Sequence, residues 1–174
     1  TGDLTIESGA TLTLNNVTLN AYGNINSPAG LLNVQSSIIE FQLTANGSSN
    51  MTLNAGSVVN INNSVLTTNA TNLYWGFSID TGDYNITNNN ISFSGTEAIT
   101  NRFDAATGGL IYNNRFTNNS GAVAYITVRS NSTGMNISNN YFSNSSNQPS
   151  IFFQGSEVAN GVVVENNELV GIVI

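Results

Sequence analysis

The sequence has little charge and lacks two residue types on which much catalysis depends. Of its 174 residues only 7% are charged, and it contains neither histidine nor cysteine. Without histidine the chain has no ordinary general base near neutral pH, and without cysteine it has no thiolate nucleophile or thiolate metal ligand. Much familiar catalysis is therefore excluded, and no cofactor or metal site is expected.

Positive charge is scarcer still. Lysine is missing, the formal net charge is −7, and the three cations are Arg102, Arg115 and Arg129. Proteins that bind nucleic acid need clusters of cations to neutralise phosphates, so no nucleic-acid partner is expected. No apolar run reaches the roughly 18 residues that suggest a membrane-spanning helix, so no membrane span is predicted.

What the sequence does contain is an internal repeat built around paired asparagines. Asparagine supplies 32 residues. Four Asn-Asn pairs recur at intervals of 25, 26 and 27 residues and begin at Asn88, Asn113, Asn139 and Asn166. Apolar and polar residues alternate on both sides of each pair, which is the period of half-buried β-strands. We predict tight turns at the pairs, with these four asparagines stacked as a structural ladder.

Two further features complete each repeat. A third strand is predicted in residues 75–79, 98–103, 124–128 and 150–154. Glycines that suit a corner with positive φ precede the first strand at Gly82, Gly108, Gly134 and Gly161. Looser copies of the repeat surround residues 15–16, 36–37 and 62–63. The sequence predicts an all-β fold, a right-handed single-stranded parallel β-helix with three strands per coil and about six to seven coils, as one domain over residues 1–174.

The repeat resembles a known family. Its unit is an apolar residue, any residue, two asparagines, any residue and an apolar residue, with glycine corners and a period of about 26 residues. This is similar to the right-handed parallel β-helix repeats of the pectate-lyase-like superfold, closely over residues 59–174 and weakly over 1–58. The opening LTIESGATLTLNNVTL resembles the first coil of secreted adhesins and archaeal surface β-helices. The resemblance implies an architecture and not one function, because lyases, hydrolases, tailspikes, adhesins and surface-layer proteins share it.

The chain is also rich in N-glycosylation sequons. Eleven matches to Asn-x-Ser/Thr begin at Asn16, Asn46, Asn50, Asn62, Asn69, Asn85, Asn90, Asn118, Asn131, Asn136 and Asn144. Several matches are expected by chance in this composition. Attached sugars would nevertheless hydrate a surface that charges do not, which favours an extracellular, cell-surface glycoprotein. Asn85 and Asn90 should face outward if Ile86 and Ile91 face inward.

An enzymatic interpretation needs clustered carboxylates, because the lyases and hydrolases of this superfold usually act through acidic groups with a basic group or a metal. The candidates are Asp80, Asp83, Glu97 and Asp104, with Arg102 on the third strand. The alternative is an ordinary solvated loop with a surface ion pair. The hydrolase motifs N-T-D, G-H-G and R-x-K are absent, and no lysine is available as a lyase base. A calcium site at Asp80 and Asp83 stays open.

Aromatic residues cluster in one segment of the chain. Tyr74, Trp75 and Phe77 could stack on sugar rings if exposed, or fill the core if Trp75 and Phe77 point inward. Phe152 and Phe153 occupy opposite faces of a strand, so one of them should be exposed. These residues support either a carbohydrate-binding face or a larger core.

Two classes of function therefore remain. The leading hypothesis is a non-catalytic structural or adhesive module of a cell-surface layer, filament or envelope protein, heavily N-glycosylated. The alternative is a carbohydrate-binding or polysaccharide-degrading β-helix. Both terminal segments read as strands without a polar cap, so we expect the coil to continue in a longer polypeptide or to meet a second copy or a neighbouring domain through its ends. Glycans are the other expected partners.

Overall fold

Three parallel β-sheets extend through the computed structural model, which describes residues 2–42, 49–68, 75–80, 83–93, 100–103, 108–118, 126–129, 132–144, 151–154 and 160–170. Each sheet contains seven strands, and the chain visits the sheets in the same order on every pass. The described residues form strands and turns but no helix. The predicted class, an all-β parallel solenoid with three strands per coil, is confirmed.

The strands are numbered in chain order, and every third strand belongs to the same sheet. Sheet 1 contains β1 (Leu4–Thr5), β4 (Ile25–Ser27), β7 (Ser49–Leu53), β10 (Trp75–Ile79), β13 (Thr100–Phe103), β16 (Ile126–Arg129) and β19 (Ile151–Gln154). Sheet 2 contains β2 (Thr11–Asn15), β5 (Leu31–Gln35), β8 (Val58–Asn62), β11 (Asp83–Thr87), β14 (Leu110–Tyr112), β17 (Asn136–Ser138) and β20 (Val163–Glu165). Sheet 3 contains β3 (Thr18–Ala21), β6 (Ile38–Phe41), β9 (Val65–Thr68), β12 (Asn90–Phe93), β15 (Arg115–Asn118), β18 (Tyr141–Asn144) and β21 (Glu168–Val170).

The register of the strands stacks equivalent residues of successive turns. In sheet 2, Ile61 pairs with Ile86, Ile86 with Ile111 and Ile111 with Ile137. All four are buried and lie in one apolar core cluster. The intervening residues point outward, as exposed Asn85 illustrates. The alternation that predicts half-buried strands is therefore confirmed, and it directs one apolar column per alternate position into the centre of the coil.

Large core residues are accommodated by stacking and by glycine. The rings of Phe116 and Phe142 are stacked with centroids 5.0 Å apart and an interplanar angle of 11°. Buried Tyr84 lies over Gly109, which has a φ of 103°, and a Cβ at this glycine would overlap the tyrosine ring. Glycine at position 109 thus provides the volume that the tyrosine fills and also adopts a backbone conformation that other residues rarely take.

The predicted corners and third strands agree with the structure within one or two residues. Gly108, Gly134 and Gly161 have φ values of 81°, 66° and 69°, as predicted, while Gly82 lies outside the described residues. The strand predicted at 124–128 extends to Arg129. Residues 98–99, 124–125 and 150 of the predicted third strands also lie outside the described residues. In the described part of the chain there is no helix long and apolar enough to cross a membrane.

Candidate functional site: the asparagine corner

The corner between sheets 2 and 3 has the same left-handed residue in every turn of the coil. This first corner residue has a φ between 49° and 58° at Asn16, Ser36, Asn63, Asn88, Asn113, Asn139 and Asn166. Left-handed backbone is unfavourable for most L-residues, and asparagine tolerates it better than most because its short polar side chain bonds locally. The first asparagine of each pair is therefore required by the backbone of the turn.

Some side chains of these first residues also bond along the corner. The Asn113 amide nitrogen donates to the Asn88 side-chain oxygen at 2.8 Å, and Asn88 donates to the Asn62 side chain at 2.9 Å. Asn139 and Asn166 have the same backbone conformation. Within the described residues, no side-chain hydrogen bond joins Asn139 to Asn113. The outer column is therefore continuous in backbone geometry and only partly continuous in side-chain bonding.

The second asparagine of each pair forms an internal ladder. Asn89, Asn114 and Asn140 are buried, and Asn167 is half-buried. Each amide nitrogen donates to the side-chain oxygen of the next asparagine at 3.0 Å. Each backbone N–H donates to the same oxygen at 2.9 Å. Every rung thus joins two turns through both main chain and side chain.

The remaining donor of each ladder amide reaches a carbonyl in the preceding turn. Asn114 donates to the Ile86 carbonyl at 2.7 Å, and Asn140 donates to the Ile111 carbonyl at 2.9 Å. Each of these two side chains therefore makes two donor bonds and accepts two, which is its full capacity. A satisfied buried amide network adds stability and fixes the register of the turns.

Serine occupies the same internal position in the amino-terminal turns. The Ser64 hydroxyl donates to the Asn62 carbonyl at 2.8 Å and accepts the Ser37 N–H at 3.1 Å. The Ser37 hydroxyl likewise accepts the Val17 N–H at 3.3 Å. A hydroxyl therefore makes one bond to the preceding turn where an asparagine amide makes three.

A groove of about 300 Å³ follows the outside of this corner. Its lining residues come from three successive turns: Asn88, Asn89, Asn90, Asn113, Asn114, Arg115, Asn139 and Tyr141. On the outer face of sheet 3, Asn90 pairs with Arg115 and Arg115 with Tyr141. The Arg115 guanidinium lies 4.4 Å from the centre of the Tyr141 ring. Among the described side chains it forms no ion pair, so one cation lies in a groove otherwise lined by amides and a phenol.

The sequon asparagines occupy several environments. Asn16, Asn85 and Asn90 are exposed, and Asn62 and Asn136 are half-buried. The Asn85 amide nitrogen donates to the Asn60 side chain at 3.0 Å. Asn50, Asn118 and Asn144 lie in strands whose side chains at these positions are not described, and the others outside the described residues are Asn46, Asn69 and Asn131.

The structure describes only part of the acidic and aromatic candidates. Asp80 is half-buried, and one of its carboxylate oxygens is buried without a hydrogen-bond partner. Asp83 is exposed on β11. Glu97, Asp104 and Tyr74 lie outside the described residues, as do the side chains of Arg102, Trp75, Phe77 and Phe152. Among the described residues no three acidic, histidine or cysteine side chains could together hold a metal ion.

Phe153 is half exposed, although it lies in an inward-facing column. Its register partner Val128 is buried, and in this column Val128 belongs to the preceding turn. The same is true of Val164 and Leu169, whose partners Ile137 and Phe142 are buried. The exposure of Phe153 therefore reflects its place in the last described turn and not an outward orientation on the strand.

Two features of the corner lie beyond the sequence predictions. The internal ladder runs through the second member of each pair, whereas the predicted ladder names the first members. Arg115 and Tyr141 carry a signal that was available, because their separation of 26 residues is one period and places them side by side on adjacent strands.

The fold defines the chain as a parallel β-solenoid, and its most regular polar feature is the asparagine corner. No protein-family model, curated protein or solved structure matches the chain. Function is therefore argued from the corner, the groove and the faces of the coil.

Proposed function

We propose that the chain is a non-catalytic structural or adhesive module of an extracellular cell-surface layer, filament or envelope protein, and that it is N-glycosylated. The observation that carries this proposal is the ladder of Asn89, Asn114, Asn140 and Asn167. It uses the most regular polar groups of the sequence to join one turn to the next, at distances of 2.7 to 3.0 Å. A repeat whose polar residues bond internally suits a stiff spacer.

The dimensions of the coil favour the same role. Strands of a sheet lie about 4.8 Å apart, so a seven-stranded stack is about 30 Å long. Since each turn contacts mainly its neighbours, length can be added by repetition without changing the cross-section. We further propose membership of the right-handed β-helix repeats of the pectate-lyase-like superfold, whose adhesins and surface-layer proteins display decorated faces.

Glycosylation is proposed because the outer faces carry amides and hydroxyls in place of charge. Exposed Asn16, Asn85 and Asn90 begin sequons on these faces. Sugars attached there would hydrate a surface on which only 7% of residues are charged. Partners are proposed at the ends of the coil, since half-exposed Phe153, Val164 and Leu169 continue buried columns and suit contact with a further coil, a neighbouring domain or a second copy.

The proposal is tested on protein isolated from the cells that produce it. Intact mass before and after deglycosylation should reveal excess mass spread over several sequons. A membrane-impermeant reagent should label the protein on intact cells. An unmodified mass together with labelling only after cell lysis would contradict both the glycosylation and the surface location.

A second candidate function is a carbohydrate-binding or polysaccharide-degrading β-helix. The observation that favours it is the unpartnered carboxylate oxygen of Asp80, because a buried polar atom without a hydrogen bond is unusual outside functional sites. A polysaccharide panel assayed for binding and for new reducing ends separates the two functions. Turnover that Asp80→Asn abolishes and Asp83→Asn retains would favour the enzyme over the structural module.

A further inference from the structure

We propose that Asn90 is the preferred N-glycosylation site of the folded protein, and that the attached saccharide lies along the corner groove against Arg115 and Tyr141. This inference rests on the proposed function, because it requires that the chain meets a glycosylation machinery. It goes further by selecting one sequon among eleven and by giving its saccharide a docking surface on the protein.

The chemistry of the modification distinguishes the sequons. The asparagine amide nitrogen displaces the lipid diphosphate of an activated glycosyl donor, so that an N–C bond forms at the anomeric carbon, the C–O bond to the diphosphate breaks and one amide proton is lost. The folded product must therefore leave that nitrogen open on the side where the sugar extends. Burial or hydrogen bonding of the amide disfavours a site.

Four of the five sequon asparagines with described side chains are disfavoured in this way. The Asn85 nitrogen donates to Asn60 at 3.0 Å, and the Asn62 oxygen accepts from both Thr87 and Asn88. Asn136 is half-buried with its amide oxygen enclosed, and Asn16 has the left-handed φ of 54° within a tight turn. A saccharide at any of these positions would disturb a bond, a packed side chain or a turn.

Asn90 meets the requirement. It is exposed at the start of β12, and among the described residues its side chain makes no hydrogen bond. Ser92, the hydroxyl residue of its sequon, lies two residues further along the same strand and hence on the same outer face. The sequon is therefore extended, with both of its essential side chains directed away from the core.

The neighbours of Asn90 form a surface that a sugar can use. Arg115 lies beside Asn90 on the adjacent strand, about 4.8 Å away across the sheet, and Tyr141 follows on the next strand. The stacking of the guanidinium on the ring at 4.4 Å fixes both groups, while the guanidinium keeps its in-plane N–H donors. Those donors can bond hydroxyl or acetamido oxygens, and the phenol ring can pack against the apolar face of a sugar.

Attachment makes weak contacts sufficient. A saccharide linked at Asn90 is held next to Arg115 and Tyr141 at high effective concentration, so it needs no strong intrinsic affinity for the groove. The groove volume of about 300 Å³ is at the small end of the usual range for small-molecule sites, so it suits the first sugars of the chain and not a whole glycan.

Site occupancy is measured first. The full chain is secreted from a eukaryotic host that attaches an N-acetylglucosamine-based core, and peptide mapping of the folded fraction gives the occupancy of each sequon. Asn90 should be occupied more fully than Asn62, Asn85 and Asn136. Ser92→Ala is the matched control, because it removes the sequon while leaving the Asn90 side chain in the groove.

Docking is tested by a double-mutant cycle on the melting temperature. The Asn90 glycan is removed with Ser92→Ala, alone and combined with Tyr141→Ala. With Tyr141 present the glycan should raise the melting temperature by about 2 °C, and with Tyr141→Ala the increment should fall to near zero. Tyr22→Ala, which alters an exposed tyrosine outside the groove lining, should leave the increment unchanged.

The outcomes separate this inference from the proposed function. A folded product with no glycan on any sequon would overturn the glycosylation on which both depend. Glycans at other sequons with Asn90 empty would overturn the choice of site and leave the glycoprotein proposal intact. An occupied Asn90 whose thermal increment is the same with and without Tyr141 would overturn the docking surface alone.

Discussion

The amino-terminal and carboxy-terminal turns of the coil form the same corner with different side chains. The internal position is Val17, Ser37 and Ser64 in turns β1–β9, and Asn89, Asn114, Asn140 and Asn167 in turns β10–β21. The left-handed φ of the preceding residue is nearly the same in both regions, from 49° to 58°. The backbone turn does not therefore depend on the internal side chain, whose identity decides how strongly consecutive turns are coupled.

The difference in coupling follows from hydrogen-bonding capacity. A serine hydroxyl has one donor, and in Ser37 and Ser64 that donor is used within the same turn. An asparagine amide has two donors and an acceptor oxygen, and in Asn114 all of them join neighbouring turns. With about 1 kcal/mol per net hydrogen bond, the asparagine turns gain roughly 2 kcal/mol of coupling per turn over the serine turns.

The largest expected effect is the loss of one ladder rung. Asn114→Ala removes the acceptor of the Asn89 N–H and leaves the Ile86 carbonyl without its side-chain donor, all in a buried site. We expect the free energy of unfolding to fall by about 3 kcal/mol, measured by urea denaturation. Asn20→Ala, on an exposed outer position, is the control and should change it by less than about 0.5 kcal/mol. Equal effects of the two variants would mean that the ladder adds no coupling.

Alkaline pH should weaken the carboxy-terminal turns selectively, because they contain the buried phenol of Tyr84. Burial raises the pKa of this hydroxyl above its ordinary value of 10.0. Below about pH 10 the folded and unfolded states bind the same proton; above it the unfolded state loses the proton first. Stability should therefore fall by about 1.4 kcal/mol per pH unit above pH 10.

The measurement is denaturation at several pH values from 9 to about 11.5, compared between the unmodified protein and Tyr84→Phe. The Phe variant should lose one proton's worth of slope. Tyr22→Phe should keep the full slope, since Tyr22 is exposed in the folded protein. Parallel curves for Tyr84→Phe and the unmodified protein would show that Tyr84 ionises equally in both states.

A serine rung should matter less than an asparagine rung. Ser64→Ala removes the acceptor of the Ser37 N–H and one bond within its own turn. We expect a loss of about 1 kcal/mol by urea denaturation, roughly a third of the Asn114→Ala effect. A loss as large as that of Asn114→Ala would contradict the contrast between the two regions.

The fold was predictable because two independent periods agree in the sequence. Alternation by two places Tyr84, Ile86 and Ile91 inward, and the longer repeat stacks the strands that contain them in parallel register. Backbone hydrogen bonding within sheets then follows from register alone. The corner conformation was likewise predictable, since asparagine and glycine occur where positive φ is required.

Which side chains bond at the corner was harder to predict. Whether Asn88 or Asn89 points inward depends on the sharpness of the turn, because either assignment keeps the same spacing of 25 residues to the next pair. The Arg115 and Tyr141 platform requires exact strand register across a gap in which loop length varies, so the period suggests it without fixing it. Asp80 illustrates the remaining limit, since its burial depends on the packing of neighbouring segments.

The smallest predicted effect concerns the outer residue of the amino-terminal corner, where the two regions differ once more. Ser36 has a φ of 49° at a position that is asparagine in the six other turns. Asparagine tolerates this backbone better than serine, and its side-chain oxygen could still accept the bond that Asn63 donates to Ser36 at 3.3 Å. Ser36→Asn should therefore raise the free energy of unfolding by about 0.5 kcal/mol. The reciprocal change, Asn63→Ser, should lower it by a similar amount. If both changes destabilise the protein, Ser36 is favoured by a local contact, and the two regions of the corner are not interchangeable in backbone preference.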